Sequence, residues 1–275
     1  MTRRTRLDAE LVRRGLARSR EQAVALVEAG RVRVGGNPKA KPATQVDAAA
    51  PIVVSGQPTA QGYVSRGGHK LAGALDAFAS SGPDGTDGLV VRGRRCLDAG
   101  ASTGGFTDVL LRRGAAHVVC VDVGYGQLAW SLRSDDRVTV RDRTNVRDLQ
   151  PATVGPPVDL VVADLSFISL RLVLPALVRC ATPDADLVPM VKPQFEVGRD
   201  RLGPGGVVRD PALRAEAVAE VARSAHDEHG LGVRGVTASP LPGPAGNVEY
   251  FLWLRRDAPA LAEAELMSAV STGPS

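Results

Sequence analysis

The spacing of apolar positions changes character along this chain. Near the amino terminus Leu7, Leu11 and Val12 form a short stripe at helical spacing. Ser19 stands where an N-cap would, and Gln22, three residues on, completes a capping-box pattern. Ala23, Leu26 and Val27 continue at helical spacing until Gly30, a residue suited to a left-handed helix end. Arg31-Val32-Arg33-Val34 then alternates like a strand and runs into the turn signal Gly35-Gly36. Two helices and a small hairpin are expected. A stretch rich in Gly, Ser and Pro follows at 55–68, and its second part, 61–68, is the linker proper. A helical pattern starts at His69 and runs through Leu71, Leu75 and Phe78, with a loose loop over 80–93.

Beyond this point apolar runs alternate with amphipathic stretches. Strands are expected at 94–99, 117–123, 158–164 and 186–192, with helices near 105–113, 127–133 and 170–180. A later helix covers 211–227, and two further strands fall near 232–238 and 248–254. Strands alternating with helices predict an α/β fold built on a doubly wound sheet, preceded by a small α+β unit. The division is residues 1–60, linker 61–68, α/β domain 69–256, and an Ala-rich tail, 257–275, expected to be flexible.

Charge sharpens the division. The chain has a formal net charge of +4, but residues 1–66 carry twelve Lys or Arg against five Asp or Glu. A basic arm on a near-neutral body suits a polyanion, although a solvated basic surface has the same composition. Only Lys39, Lys41, Lys70 and Lys192 are lysine among the 34 basic residues. Arginine holds its proton, whereas lysine can give one up, so Lys70 and Lys192 in apolar surroundings invite a chemical role. The scattered Cys96, Cys120 and Cys180 show no paired spacing and suggest buried thiols in a reducing compartment. The amino terminus lacks the apolar core of a secretory signal, and no apolar stretch is long enough to span a bilayer, so a cytoplasmic location is expected. His226 and His229 share a helix face without a third ligand nearby, and no metal is expected. Aromatic residues make up 4% of the chain, too few for extensive stacking on single strands.

The segment from Asp98 through Gly100, Ala101, Ser102, Thr103, Gly104 and Gly105 to Phe106 leaves the first strand of the α/β domain and opens a helix. Its glycines allow a sharp turn and close approach to a ligand. The spacing is not that of a dinucleotide loop, and no pyrophosphate cradle is evident. A nucleoside lacking a pyrophosphate, such as S-adenosylmethionine, suits it better. Asp122, at the end of the next strand, is placed to bind ribose hydroxyls, and Asp142 has two readings, contact with an adenine edge or an ordinary loop acid.

Asp164 and Lys192 end apolar strands, Glu249 lies in the last strand, and Lys70 sits on a helix able to cross the same sheet edge. Charges there are costly to bury unless paired. One reading is two salt bridges tying the edge together. The other is a reaction centre for a ribose hydroxyl. Lys192 would act as base or as a cation beside the oxygen, Asp164 and Glu249 would orient the lysines, and Lys70 would steady the ribose or the developing oxyanion. The segment Asp-Leu-Ser-Phe lacks the Asn-Pro-Pro-aromatic pattern of exocyclic-amino methylation. No cysteine is placed as the nucleophile that carbon-5 pyrimidine methylation needs.

Residues 6–36 closely resemble the RNA-binding domain named after the fourth protein of the small ribosomal subunit, through S-R-x-x-A and G-x-V-x-V elements. That resemblance implies RNA contact, for which Arg3, Arg4, Arg6, Arg18, Arg20 and Lys41 are the candidates, each with an idle surface charge as its alternative; Arg66, Arg143, Arg147 and Arg199 flank the α/β site and are candidates to continue the footprint. The stretches V-S-R-G-G-H-K-L, L-D-A-G-A-S-T-G-G-F, V-V-A-D-L-S-F-I-S-L, V-K-P-Q-F-E-V-G and G-N-V-E-Y-F resemble FtsJ-type methyltransferases. With both parts together the chain is similar to the TlyA family. This implies a Rossmann-like class I methyltransferase fold, S-adenosylmethionine as cofactor, and ribosomal RNA or ribosomal subunits as partner. It also implies a Lys70, Asp164, Lys192 and Glu249 catalytic set for 2′-O-methylation, with cytidines of 16S and 23S RNA as targets. The same family bears the label hemolysin, so a membrane-active protein is one competing expectation. A non-catalytic ribosome-binding or assembly factor is another.

Overall fold

The computed structural model describes residues 4–14, 16–17, 19–28, 30–35, 41–47, 50–54, 62–79 and 88–274. Arg3, Arg18, Gly36, Lys39, the start of the Gly/Ser/Pro stretch through 61 and most of the 80–93 loop lie outside the described residues, as do the side chains of Gln22 and Arg199.

The amino-terminal unit contains β1 (Arg4–Arg6), α1 (Leu7–Arg13), α2 (Arg20–Glu28), β2 (Val32–Val34), β3 (Gln45–Asp47) and β4 (Ile52–Val54). The stripe read from the sequence closes a small core: Leu7, Leu11, Ala23, Val27, Val32, Val46 and Ile52 are buried together. Among the described residues the expected local hairpin after Gly30 is not formed. β2 pairs with the distant β4, and β1 pairs with β3, both antiparallel. Val32 needs an apolar partner to stay buried, and Ile52 and Val54 supply apolar surface there.

The second unit contains α3 (Arg66–Phe78), β5 (Arg95–Ala99), α4 (Gly105–Arg112), β6 (His117–Val121), α5 (Trp130–Arg133), β7 (Val138–Arg141), α6 (Pro151–Val154), β8 (Val158–Ala163), α7 (Leu174–Arg179), β9 (Ala181–Val191), α8 (Pro211–His229), β10 (Gly232–Ala238), β11 (Tyr250–Arg255) and α9 (Glu263–Ser271). Its sheet runs β10-β11-β9-β8-β5-β6-β7. The five strands from β9 to β7 are mutually parallel, while β11 and β10 are antiparallel additions at one edge. β5 lies centrally between β6 and β8, so the chain leaves it to one side first and to the other later. A crevice opens at such a switch point, at the carboxyl ends of the strands.

Period-two alternation splits the core into two layers. Leu97, Ala99, Leu187, Val191, Leu252 and Leu254 face one way, with Leu174, Leu177, Val218 and Val221. Cys96, Leu160, Val162, Val188, Met190, Phe251 and Trp253 face the other, with Leu71, Leu75, Phe78 and Leu110. Each fully buried Leu or Phe contributes roughly 1.5–3 kcal/mol.

Several expectations are corrected. β7 was not anticipated; its Val138 and Val140 form only a short apolar alternation between charged flanks. The helix near 127–133 is reduced to α5, and the one near 170–180 is broken into a 3-10 turn over Leu170–Leu172 followed by α7. Pro175 at the start of α7 lacks the amide hydrogen a continuous helix would need. The described tail, 257–274, is not a loose end: α9 buries Ala269 and places Leu266 and Val270 in the main core. Among the described residues no helix is long and apolar enough to cross a membrane.

Candidate active site

The same alternation places the charged strand ends. Asp164 continues the set Leu160, Val162; Lys192 continues Val188, Met190; Glu249 precedes Phe251, Trp253. All three therefore project to the face on which α3 packs, and α3 brings Lys70 to them. Lys70 Nζ donates to Glu249 Oε2 at 2.5 Å. Lys192 Nζ lies 2.6 Å from Asp164 Oδ1 and donates to Ser166 Oγ at 2.9 Å. The four side chains form two salt bridges. A cavity of about 310 Å³ is lined by Lys70, Asp164, Lys192 and Glu249 together with Arg66, Ser166 and Pro242. The Lys70–Glu249 pair is buried and the Lys192–Asp164 pair partly so, and desolvation offsets much of the attraction in such pairs.

A second cavity of about 340 Å³ shares Gly100, Ser102, Asp164 and Ser166 with the first. It is apolar along Val146, Leu165, Ile168 and Val173, and polar at Asp122, Gln127 and Asn145. Its floor is the turn after β5. Gly100 has φ +87, and a Cβ there would meet the Asp164 carbonyl oxygen at 2.3 Å, so only glycine fits. Ser102 takes a positive φ of 47 without being glycine, and its amide donates to Asp122 Oδ2 at 2.8 Å. The Gly124 amide donates to Asp122 Oδ1 at 2.7 Å. These bonds fix the carboxylate while each oxygen keeps accepting capacity for a hydroxyl. An apolar slot for a ring, a fixed carboxylate for a diol and the Asp164 carboxylate at the far end suit a nucleoside carrying a cationic arm.

Other residues expected at this loop serve it indirectly. Asp98 lies on the α3 and α4 face, wholly buried, and accepts from Thr107 Oγ1 at 2.6 Å. Burial raises its carboxyl to about 7. Ala101 and Phe106 are core residues. Gly104 is the left-handed residue before α4, and Gly105 packs against Ser65 and Gly68. Thr103 lines a neighbouring cavity with Arg14, Tyr125 and Arg143. Asp142 does not line the cofactor cavity: it pairs with Arg133 at 2.5 Å and accepts from the Gly126 amide. Asn145 and Val146, after the unanticipated β7, occupy the wall instead. Ser166 and Phe167, in the Asp-Leu-Ser-Phe segment that drew notice for Asp164, were not singled out.

The basic residues fall in two groups. Arg6 and Arg20 converge on Asp8, at 2.8 and 3.3 Å, and the Arg6 hydrogen bond holds that carboxyl down at about 2. Arg4 and Lys41 are exposed. Arg66 lines the cavity of the two Lys–carboxylate pairs, Arg143 stacks 4.4 Å above the Tyr125 ring, and Arg147 is exposed. Among the described residues no group of His, Cys, Asp and Glu could hold a metal ion.

Comparison with known proteins agrees with this geometry. Residues 63–256 match the FtsJ-like methyltransferase family and residues 5–52 match the S4 domain. The chain is 62% identical, over 100% of both chains, to the "16S/23S rRNA (cytidine-2'-O)-methyltransferase TlyA" of Mycobacterium tuberculosis. It is 42% identical to "Putative rRNA methyltransferase YqxC" of Bacillus subtilis, over 98% of this chain and 94% of that one. A solved structure titled "Putative hemolysin from Streptococcus thermophilus" superposes with a TM-score of 0.73 at 36% identity, covering 98% of this chain and 96% of that one. The chain belongs, with the TlyA proteins, to the FtsJ-like methyltransferase family.

Proposed function

We propose that this protein transfers a methyl group from S-adenosylmethionine to the ribose 2′-hydroxyl of cytidines in small- and large-subunit ribosomal RNA. The observation that carries this reading is the junction of two cavities at Asp164 and Ser166, one built for a nucleoside and the other lined by two Lys–carboxylate pairs. The name of the 62% identical relative supports the choice of ribosomal RNA and of cytidine. Asp122 would hold the cofactor ribose, and Val146, Leu165, Ile168 and Val173 its base.

The bound cofactor supplies a methyl group already activated on a sulfonium sulfur. The protein's task is therefore placement of the target oxygen and handling of its proton. Lys192 Nζ has three positions besides its carbon bond, and Asp164 and Ser166 occupy two of them. The third is left for the substrate oxygen, either to take the hydroxyl proton or to steady the oxyanion as the oxygen–carbon bond forms. Glu249 fixes Lys70, which together with Arg66 positions the ribose and its phosphate. The Arg6 and Arg20 cluster, Arg4, Lys41, Arg143 and Arg147 would carry the RNA backbone, and Arg3, Arg18 and Arg199 are assigned the same role from sequence. Recognition by arginine and shape fits structured RNA. A ribosomal substrate implies work in the cytoplasm.

The test is incubation with ribosomal subunits and labelled S-adenosylmethionine, followed by mass-spectrometric mapping. Label on a cytidine ribose supports the proposal. No label in RNA, or label on a base, overturns it.

A further inference from the structure

The chain has only ten Phe, Trp and Tyr residues, and five of them, Phe78, Phe106, Tyr250, Phe251 and Trp253, are buried. Trp253, the other tryptophan, is 1% exposed, whereas Trp130 is 74% exposed. A side chain of that size left in water at the start of a four-residue helix serves no packing purpose. Trp130 borders a cavity of about 450 Å³ between the two units, shared with Arg33 and Pro51 on one side and Tyr125, Gly126 and Arg133 on the other. The volume is within the range of small-molecule sites, about 300–1,000 Å³. None of its lining residues belongs to the catalytic cavity. The two are nevertheless linked by intervening cavities: Gly100 and Ser102 join the catalytic to the cofactor cavity, Val123 and Gln127 join that to the next, and Tyr125 joins the next to the Trp130 cavity.

The chemistry of the rim selects the occupant. Arg133 is held in place by Asp142, and exposed Arg33 rises from β2 across the gap. An indole face flanked by guanidinium groups accepts a flat ring attached to an anionic backbone. An apolar peptide would leave Arg33 without an anionic partner, and a free phosphate would leave the indole in water. We propose that this cavity is a second nucleotide site, in which an unpaired RNA base outside the target nucleotide stacks on Trp130 while Arg33 takes its phosphate. The site rests on the reading of the substrate as RNA. It would fix how the RNA spans the two units, so that binding here sets which ribose reaches Lys192.

Tryptophan emission tests this directly, because Trp253 is buried and the Trp130→Phe variant supplies its background. The full-length protein is titrated with a mixed-sequence single-stranded oligoribonucleotide and with protein-free ribosomal RNA. Quenching of the Trp130 signal by RNA is expected. Trp130→Ala should bind RNA about tenfold more weakly, within the roughly 5- to 150-fold that one stacked base is worth. Its KM for RNA in methyl transfer should rise by a similar factor, with kcat less affected. Unchanged emission with RNA overturns the site, as does unchanged affinity and KM in Trp130→Ala. An emission change that follows protein concentration without RNA also overturns it, by assigning the face to a second copy of the chain. If the wild-type protein labels no RNA yet RNA quenches Trp130, the reaction assignment fails and the nucleotide site stands.

Discussion

Lys192 and Asp164 meet at 2.6 Å across the ends of two adjacent parallel strands. Each follows the last residue of its strand, on the same face, so the sheet itself sets their separation. Replacing Lys192 by Ala should lower methyl transfer by roughly 10²–10⁴-fold, the range for loss of a general acid–base group, while RNA affinity is retained. Lys192→Arg should not restore activity. A planar guanidinium cannot keep Lys192's contacts to both Asp164 and Ser166 while leaving room for the substrate oxygen. Single-turnover rates with both variants check this, and a near wild-type rate for either would remove Lys192 from the reaction.

Ser166 accepts the second hydrogen bond from Lys192. Its loss in Ser166→Ala frees the ammonium to swing about its Asp164 contact. A neutral-to-charged hydrogen bond is worth about 1.5 kcal/mol, so kcat should fall about tenfold. KM for RNA should stay within about twofold, since nothing that grips the RNA backbone is altered. A rise in KM with kcat unchanged would show that Ser166 binds substrate instead of holding Lys192.

Gly243 has an unusual neighbour. A Cβ built there would lie 2.7 Å from Glu249 Oε1. Glu249 is 1% exposed, so its carboxylate has no solvent to retreat into and must give up its position beside Lys70. Gly243→Ala should cost transfer activity at least tenfold, comparable to Glu249→Ala, on the scale of one displaced charged contact. The melting temperature should fall as well, because Lys70 and Glu249 are left buried without their ion pair, although the turn's own bonds, Gly243 to Asn247 and Gly246 to Gly243, involve backbone alone. Full activity in Gly243→Ala would sink the role given to Glu249's position.

Most of this site was visible in the sequence for one reason: strands impose a period of two, and Asp164, Lys192 and Glu249 fall in phase with apolar residues on the same face. Asp122 was visible because a strand end fixes where an acid points. Asp142 was misplaced because its partner is decided in three dimensions: Arg133, nine residues earlier, claims its carboxylate. The wall at Asn145 and Val146 was missed along with β7, whose short run of alternation is weak against its charged flanks. In the tail, Leu266, Ala269 and Val270 recur at helical spacing. The abundance of alanine around them hid an amphipathic helix that covers the core.

Asp98 makes stability depend on pH. Its carboxyl is raised to about 7 by burial, above the value near 3.9 expected in the unfolded chain. Between these values the folded protein holds a proton that the unfolded chain has released. Stability should therefore fall as pH climbs from about 4 to about 7 and level off above, once both states are ionised. Thr107 donates to Asp98 Oδ2, but Oδ1 has no partner, so the buried charge is only half satisfied. In Asp98→Asn the group no longer titrates, and an amide oxygen can still accept from Thr107. Melting temperatures recorded every half unit of pH should show a shallower decline for Asp98→Asn than for the wild type across this window, whatever the absolute offset between them. Identical slopes would mean that Asp98 is ionised in the folded protein throughout, and that its burial beneath the cofactor turn is offset by contacts other than Thr107.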